Sequence, residues 1–127
     1  MNEKITIYER IGGAEKVRQL VEAFYPRVQA HPLLKTIFPE DIQPVMEKQY
    51  LFLTQFFGGP PLYTNEYGHP MLRARHLPFP ITPARAEAWL SCMHEALDEV
   101  GISGLEREQI WSRLVMSAHH MINQQEK

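Results

Sequence analysis

Residues 58–81 read GGPPLYTNEYGHPMLRARHLPFPI and hold three of the chain's seven glycines and five of its ten prolines. Proline removes a backbone donor and clashes inside a helix, and glycine gives up the most conformational freedom on ordering, so no long helix or central strand can cross such a stretch. On both sides the apolar residues keep a helical period, and nowhere do they alternate as a half-buried strand requires. The chain is therefore two helical halves around a long irregular connection. Inside a compact domain such connections are uncommon, and when ordered they are usually functional.

Thr6 and Glu9 form an S/T-x-x-E capping box for a short helix that Gly12 and Gly13 should stop. From Ala14 a second helix carries Val17, Leu20, Val21, Phe24 and Val28 on one face, with Tyr25 beside it and Pro26 expected to kink it. His31 and Pro32 begin a tight corner, residues 33–38 form a short apolar segment closed by Pro39, and Phe38 should be buried where helices meet. The next helix spans about 42–57 with its inward stripe through Val45, Gln49, Phe52, Leu53 and Phe56. Gln49 interrupts that stripe, so its amide is either hydrogen-bonded in the core or faces a polar guest.

Beyond the connection, Thr82 and Pro83 supply an N-cap and a first-turn proline, and Ala86, Trp89, Leu90, Met93, Leu97 and Val100 keep a helical period to Gly101. Ser103 and Glu106 suggest a second capping box. The last helix presents Ile110 or Trp111, Leu114, Ala118 and Met121 or Ile122, and its polar tail is expected to fray. The pattern predicts one all-α domain over 1–127, with four long helices paired before and after the connection.

A formal net charge of −2 and a pI near 6.3 give no electrostatic reason to expect nucleic acid or an anionic membrane surface. No apolar run approaches the roughly 20 residues of a membrane span, and residues 1–10 lack the apolar core of a signal peptide. Cys92 is alone, so no intramolecular disulfide forms and a reducing, cytoplasmic compartment is expected.

Within the connection His76 is singled out. Met71 to His76 could make one or two helical turns after Pro70, and Pro78 biases Leu77 away from the helical region, ending the helix near His76. One ring nitrogen can then point outward while the other donates to a last-turn carbonyl, an arrangement that holds a neutral imidazole for a metal and equally describes a capping histidine. For a flat metal macrocycle, Phe38, Phe52 and Leu53 offer an apolar wall, and Tyr25, Gln49 and Trp89 each bring a donor on an inward helix face. Each donor also has an ordinary structural role open to it. A zinc site is a poor alternative, because His31, His69, His94, His119, His120 and Cys92 show no usual ligand spacing.

These residues stand in a recognisable order. From Tyr8-Glu9-Arg10-Ile11-Gly12-Gly13 through Phe24-Tyr25, Phe38-Pro39, Phe56-Phe57-Gly58-Gly59-Pro60, Gly68-His69-Pro70, Leu72-Arg73, His76 and Pro78-Phe79 to Trp89, Met93 and His94, the chain resembles the group II (O-type) truncated haemoglobins. The resemblance implies a globin-like, two-over-two helical sandwich holding a non-covalent b-type haem, in agreement with the absence of a C-x-x-C-H attachment motif. It makes His76 the metal ligand and Tyr25, Gln49 and Trp89 the residues that contact a bound ligand. Haem contacts are expected from Phe38, Val45, Lys48, Phe52, Leu53, Tyr63, Leu72, Arg75, His76, Phe79, Ile81, Trp89 and Met93. Arg75 and Lys48 are the leading partners for the propionates, ahead of Tyr63 and Arg73. Val45 stands where many globins place a distal histidine, Phe38 where some relatives carry tyrosine, and Pro26 where relatives often have a basic residue.

The expected function is binding of dioxygen and other diatomic ligands with high affinity and slow release, which suits ligand capture or redox chemistry better than transport. The alternative is a haem-dependent redox enzyme with weak peroxidase or nitric oxide dioxygenase activity. Either way, re-reduction calls for an external reductase or electron donor. A third class is a haem-free helical interaction module in which His76 is structural.

Overall fold

The computed structural model describes residues 6–69, 71, 74 and 76–125. Helix α1 (Ile7–Ile11) opens on the expected capping box: the Glu9 amide donates to Thr6 Oγ1 at 3.1 Å, and the Thr6 amide donates to Glu9 Oε1 at 3.1 Å. Gly12 then takes φ 120°, a conformation open to glycine at little cost, and turns the chain directly into α2 (Gly13–Ala30). The stripe Val17, Leu20, Val21, Phe24 and Val28 is buried as its period demands, and α2 continues through Pro26, whose ring is exposed. A 3-10 turn (Lys35–Ile37) leads to α3 (Gln43–Phe56), followed by α4 (Leu62–Tyr67), α5 (Pro83–Glu99) and α6 (Gly104–His120).

Helix α2 packs on α3 and α5 packs on α6, and the two pairs meet where α2 crosses α5. This is a two-over-two helical sandwich. Its core is built on Leu20, Phe24, Leu53, Phe57, Met93, Leu97 and Ile110, all essentially inaccessible to solvent. Each such side chain contributes about 1.5–3 kcal/mol by leaving water. Among the described residues no helix is long and apolar enough to cross a membrane.

Four local expectations are corrected. The connection is not irregular throughout: residues 62–67 are helical, because the Gln55 amide grips Thr64 twice, donating to its Oγ1 at 2.8 Å and accepting from its backbone N–H at 2.9 Å. A helical turn does not begin at Met71, whose φ of 47° lies in the left-handed region, although Ala74 and His76 are helical and the chain leaves the helix at Leu77, ahead of Pro78. Ser103 precedes α6 without a side-chain capping bond; the turn is held instead by Arg107, which donates to the Ile102 carbonyl at 2.9 Å. The tail does not fray at once, since the Asn123 and Gln124 amides donate to the Ile81 carbonyl at 2.9 and 3.2 Å.

Candidate functional site

A cavity of about 500 Å³ lies between α3, α5, α6 and the loop after His76, within the roughly 300–1,000 Å³ typical of small-molecule sites. Helix α3 supplies Val45, Lys48, Gln49, Phe52, Leu53 and Phe56, which share one helical face by their spacing. Helix α5 adds Arg85, Ala86 and Trp89, α6 adds Leu114, Ser117 and Ala118, and Met121 follows at its C-cap. The corner before α3 contributes Leu34, Ile37, Phe38 and Pro39, while His76, Phe79 and Ile81 come from the loop and Tyr63 from α4.

The wall is largely aromatic. Phe52 stacks on Phe56 with centroids 5.3 Å apart, and Tyr63 meets Phe52 edge-on at 6.0 Å. Lys48 reaches over the Tyr67 ring, its Nζ 5.0 Å from the centroid. Arg85 donates to the Leu33 carbonyl at 2.9 Å and to the Pro80 carbonyl at 2.8 Å, tying the corner before α3 to the loop after His76. No carboxylate lines the cavity among the described residues, whereas Lys48 and Arg85 do. A guest with an anionic edge and an apolar body matches that lining.

Two of the three anticipated donors, Gln49 and Trp89, line the cavity, and neither has a hydrogen-bond partner among the described residues. Tyr25 does not line it. Its ring is almost fully buried behind the wall, edge-on to Phe38 at 6.2 Å and to Phe24 at 4.9 Å, with Phe24 in turn edge-on to Trp89 at 5.2 Å. The Tyr25 hydroxyl also has no partner among the described residues, and burial raises its pKa well above the usual tyrosine range, so it remains an O–H donor. Donors at or beside the cavity without partners among the described residues are available to a polar guest.

Of the remaining anticipated contacts, Phe38, Val45, Lys48, Phe52, Leu53, Tyr63, His76, Phe79 and Ile81 all line the cavity. Met93 does not: it lies one turn beyond Trp89 with no exposed surface and serves the core between helices. Leu72, Arg73 and Arg75 lie outside the described residues. Arg85 and Ser117 were not anticipated. Ser117 sits one step from Ala118, which the apolar period did identify, but nothing local marks Arg85, whose carbonyl partners come from two distant loops.

A two-over-two helical sandwich around an apolar cavity, with a histidine on the wall and Lys48 and Arg85 beside it, has the architecture of a haem-binding globin. The chain belongs to the bacterial-like globins, whose family model matches residues 6–123. It is 61% identical over 119 residues to the group 2 truncated hemoglobin YjbI of Bacillus subtilis, covering 94% of this chain and 89% of that one. The crystal structure of the group II truncated hemoglobin from Bacillus anthracis superposes with a TM-score of 0.97 at 52% identity, covering 99% of this chain and 97% of the other. The X-ray structure described as a truncated oxygen-avid haemoglobin from Bacillus subtilis matches with a TM-score of 0.91 at 60% identity, over 94% of this chain and all of that one (100%). Membership of the family implies a haem cofactor and a diatomic ligand.

Proposed function

We propose that the protein holds a non-covalent b-type haem through His76 and binds dioxygen and other diatomic ligands with high affinity and slow release. The observation that carries this is the set of donors without partners among the described residues: Gln49 and Trp89 on the cavity wall and Tyr25 beside it. A bound haem would supply redox-active iron able to take a diatomic ligand. The chain supplies the rest. The imidazole of His76 ligates, the rings of Phe52, Phe56 and Phe38 exclude water, and Lys48 and Arg85 compensate the anionic propionates.

A donor aimed at a ligand atom that carries partial negative charge stabilises it by about 1.5 kcal/mol or more, and about 1.4 kcal/mol is a tenfold change. Two such donors therefore slow release on the order of a hundredfold, which favours capture over transport. The oxygen-avid description of the Bacillus subtilis relative is in keeping with this. Peroxide cleavage at the same site would call for a distal base, and Val45, Gln49 and Trp89 provide none. Re-reduction falls to an external electron donor, and the single, buried, unpaired Cys92 suits a reducing cytoplasm.

Absorption spectra of the ferrous protein with and without oxygen and carbon monoxide, together with stopped-flow oxygen release, test the proposal. The expected result is a Soret band that changes on ligand addition, loss of native axial ligation in His76→Gly, and oxygen release about tenfold faster in Trp89→Phe and in Gln49→Leu. Unaltered coordination in His76→Gly, or off-rates that do not move in either donor variant, would overturn it.

A further inference from the structure

Two prolines limit the hydrogen bonds that the loop after His76 can make through its own amides. Pro78 and Pro80 have no N–H, and within the loop the Leu77 amide donates to Ala74 at 3.3 Å and the Phe79 amide to His76 at 2.9 Å. Arg85 holds its Pro80 carbonyl, and three residues past the end of α6 stands a second outside anchor, Asn123. The Asn123 side chain accepts from the Ile81 amide at 3.1 Å through Oδ1 and donates through Nδ2 to the carbonyls of His76 at 3.2 Å and Phe79 at 2.9 Å. A carboxamide has two N–H hydrogens, and both are used here on carbonyls that bracket the loop. The backbone amides of Asn123 and Gln124 close on the Ile81 carbonyl beside it. The helix that precedes this clasp also lines the cavity with Leu114, Ser117 and Ala118, so cavity wall and loop are joined through the end of one helix.

We propose that Asn123 is a positioning residue for His76, fixing the backbone from which the imidazole projects and so limiting how far it follows the metal; this rests on His76 being the haem ligand. The Ile81 amide reports on the clasp, and the iron–histidine vibration reports on its consequence. Asn123→Ala removes all three side-chain bonds. Asn123→Asp keeps the shape and the acceptor for the Ile81 amide but has no donor for the two carbonyls.

The test uses the haem-loaded protein and its variants, read by resonance Raman in the ferrous, ligand-free state and by amide hydrogen exchange. The iron–histidine band is expected to shift or broaden in both variants. Ile81 exchange is expected to rise about tenfold in Asn123→Ala and to stay near the parent value in Asn123→Asp. A parent-like band in folded Asn123→Asp, or parent-like band and exchange in Asn123→Ala, overturns the positioning role. His76→Gly without added imidazole separates the two levels: if it leaves the parent band unchanged, the assignment of His76 fails and the role of Asn123 with it, whereas a lost band there with none shifted in the Asn123 variants removes the clasp alone.

Discussion

The ring of Tyr8 fills the space in which a side chain of Gly59 would stand. A Cβ built on Gly59 would lie 2.8 Å from Tyr8 Cγ and 2.9 Å from the Thr54 carbonyl oxygen, closer than real Cβ contacts come. The Tyr8 amide donates to the Phe57 carbonyl at 2.8 Å, so α1 is seated on the end of α3 by a backbone bond and a ring packed against bare backbone. Gly59→Ala must displace one or the other. It is expected to lose about 1–3 kcal/mol in denaturant unfolding; an unchanged midpoint would show that α1 can move aside freely.

Tyr25 makes stability depend on alkaline pH. Burial raises its phenol above the unfolded value of 10.0, so in the folded chain the group stays neutral where the unfolded chain has begun to ionise. The stabilisation from keeping it neutral is complete below about pH 10 and is lost as pH rises through and beyond that value. Tyr25→Phe has no such group. Urea unfolding from pH 8 to 11 should show a steeper alkaline decline for the parent protein than for this variant.

Thr54 is buried in α3 with its Oγ1 lacking a hydrogen-bond partner among the described residues. A hydroxyl in that position carries a desolvation cost that no bond offsets, and valine has nearly the same shape. Thr54→Val should therefore stabilise the protein by about 1 kcal/mol, read as a raised denaturation midpoint at unchanged slope.

Cys92 should be inert in the folded protein. Burial, and then the neighbouring Glu95 carboxylate, push its thiol pKa up, partly opposed by Arg27. Because the thiolate is the reactive form, alkylation by iodoacetamide at pH 8 should run on the order of a hundredfold slower than in denaturant. Comparable rates would place the thiol nearer to solvent than its packing in α5 indicates.

Much of the site was legible because its parts are local. The stripe on α3 from Val45 to Phe56 follows from helical spacing alone, and the same period that puts Phe52 and Leu53 inward puts Gln49 on the cavity wall. Which anticipated residues reach the cavity wall depends on distance as well as period. Met93 shares a face with Trp89 but falls one turn deeper, into the core, and the buried Tyr25 ring meets Phe38 edge-on. Helix periodicity gives direction around an axis, and the depth at which a cavity begins is set by where neighbouring helices cross.

The connection between the two halves shows the division most clearly. Its glycines and prolines by themselves excluded a long helix there, because φ restriction and missing donors are properties of single residues, and Pro78 alone ended the turn at His76. The bonds that surround His76 come from groups far along the chain. Gln55 grips Thr64, Arg85 joins Leu33 to Pro80, and Asn123 holds the carbonyls of His76 and Phe79 from 47 and 44 positions away. No local pattern encodes such bonds, since each exists only once packing has brought its two ends together.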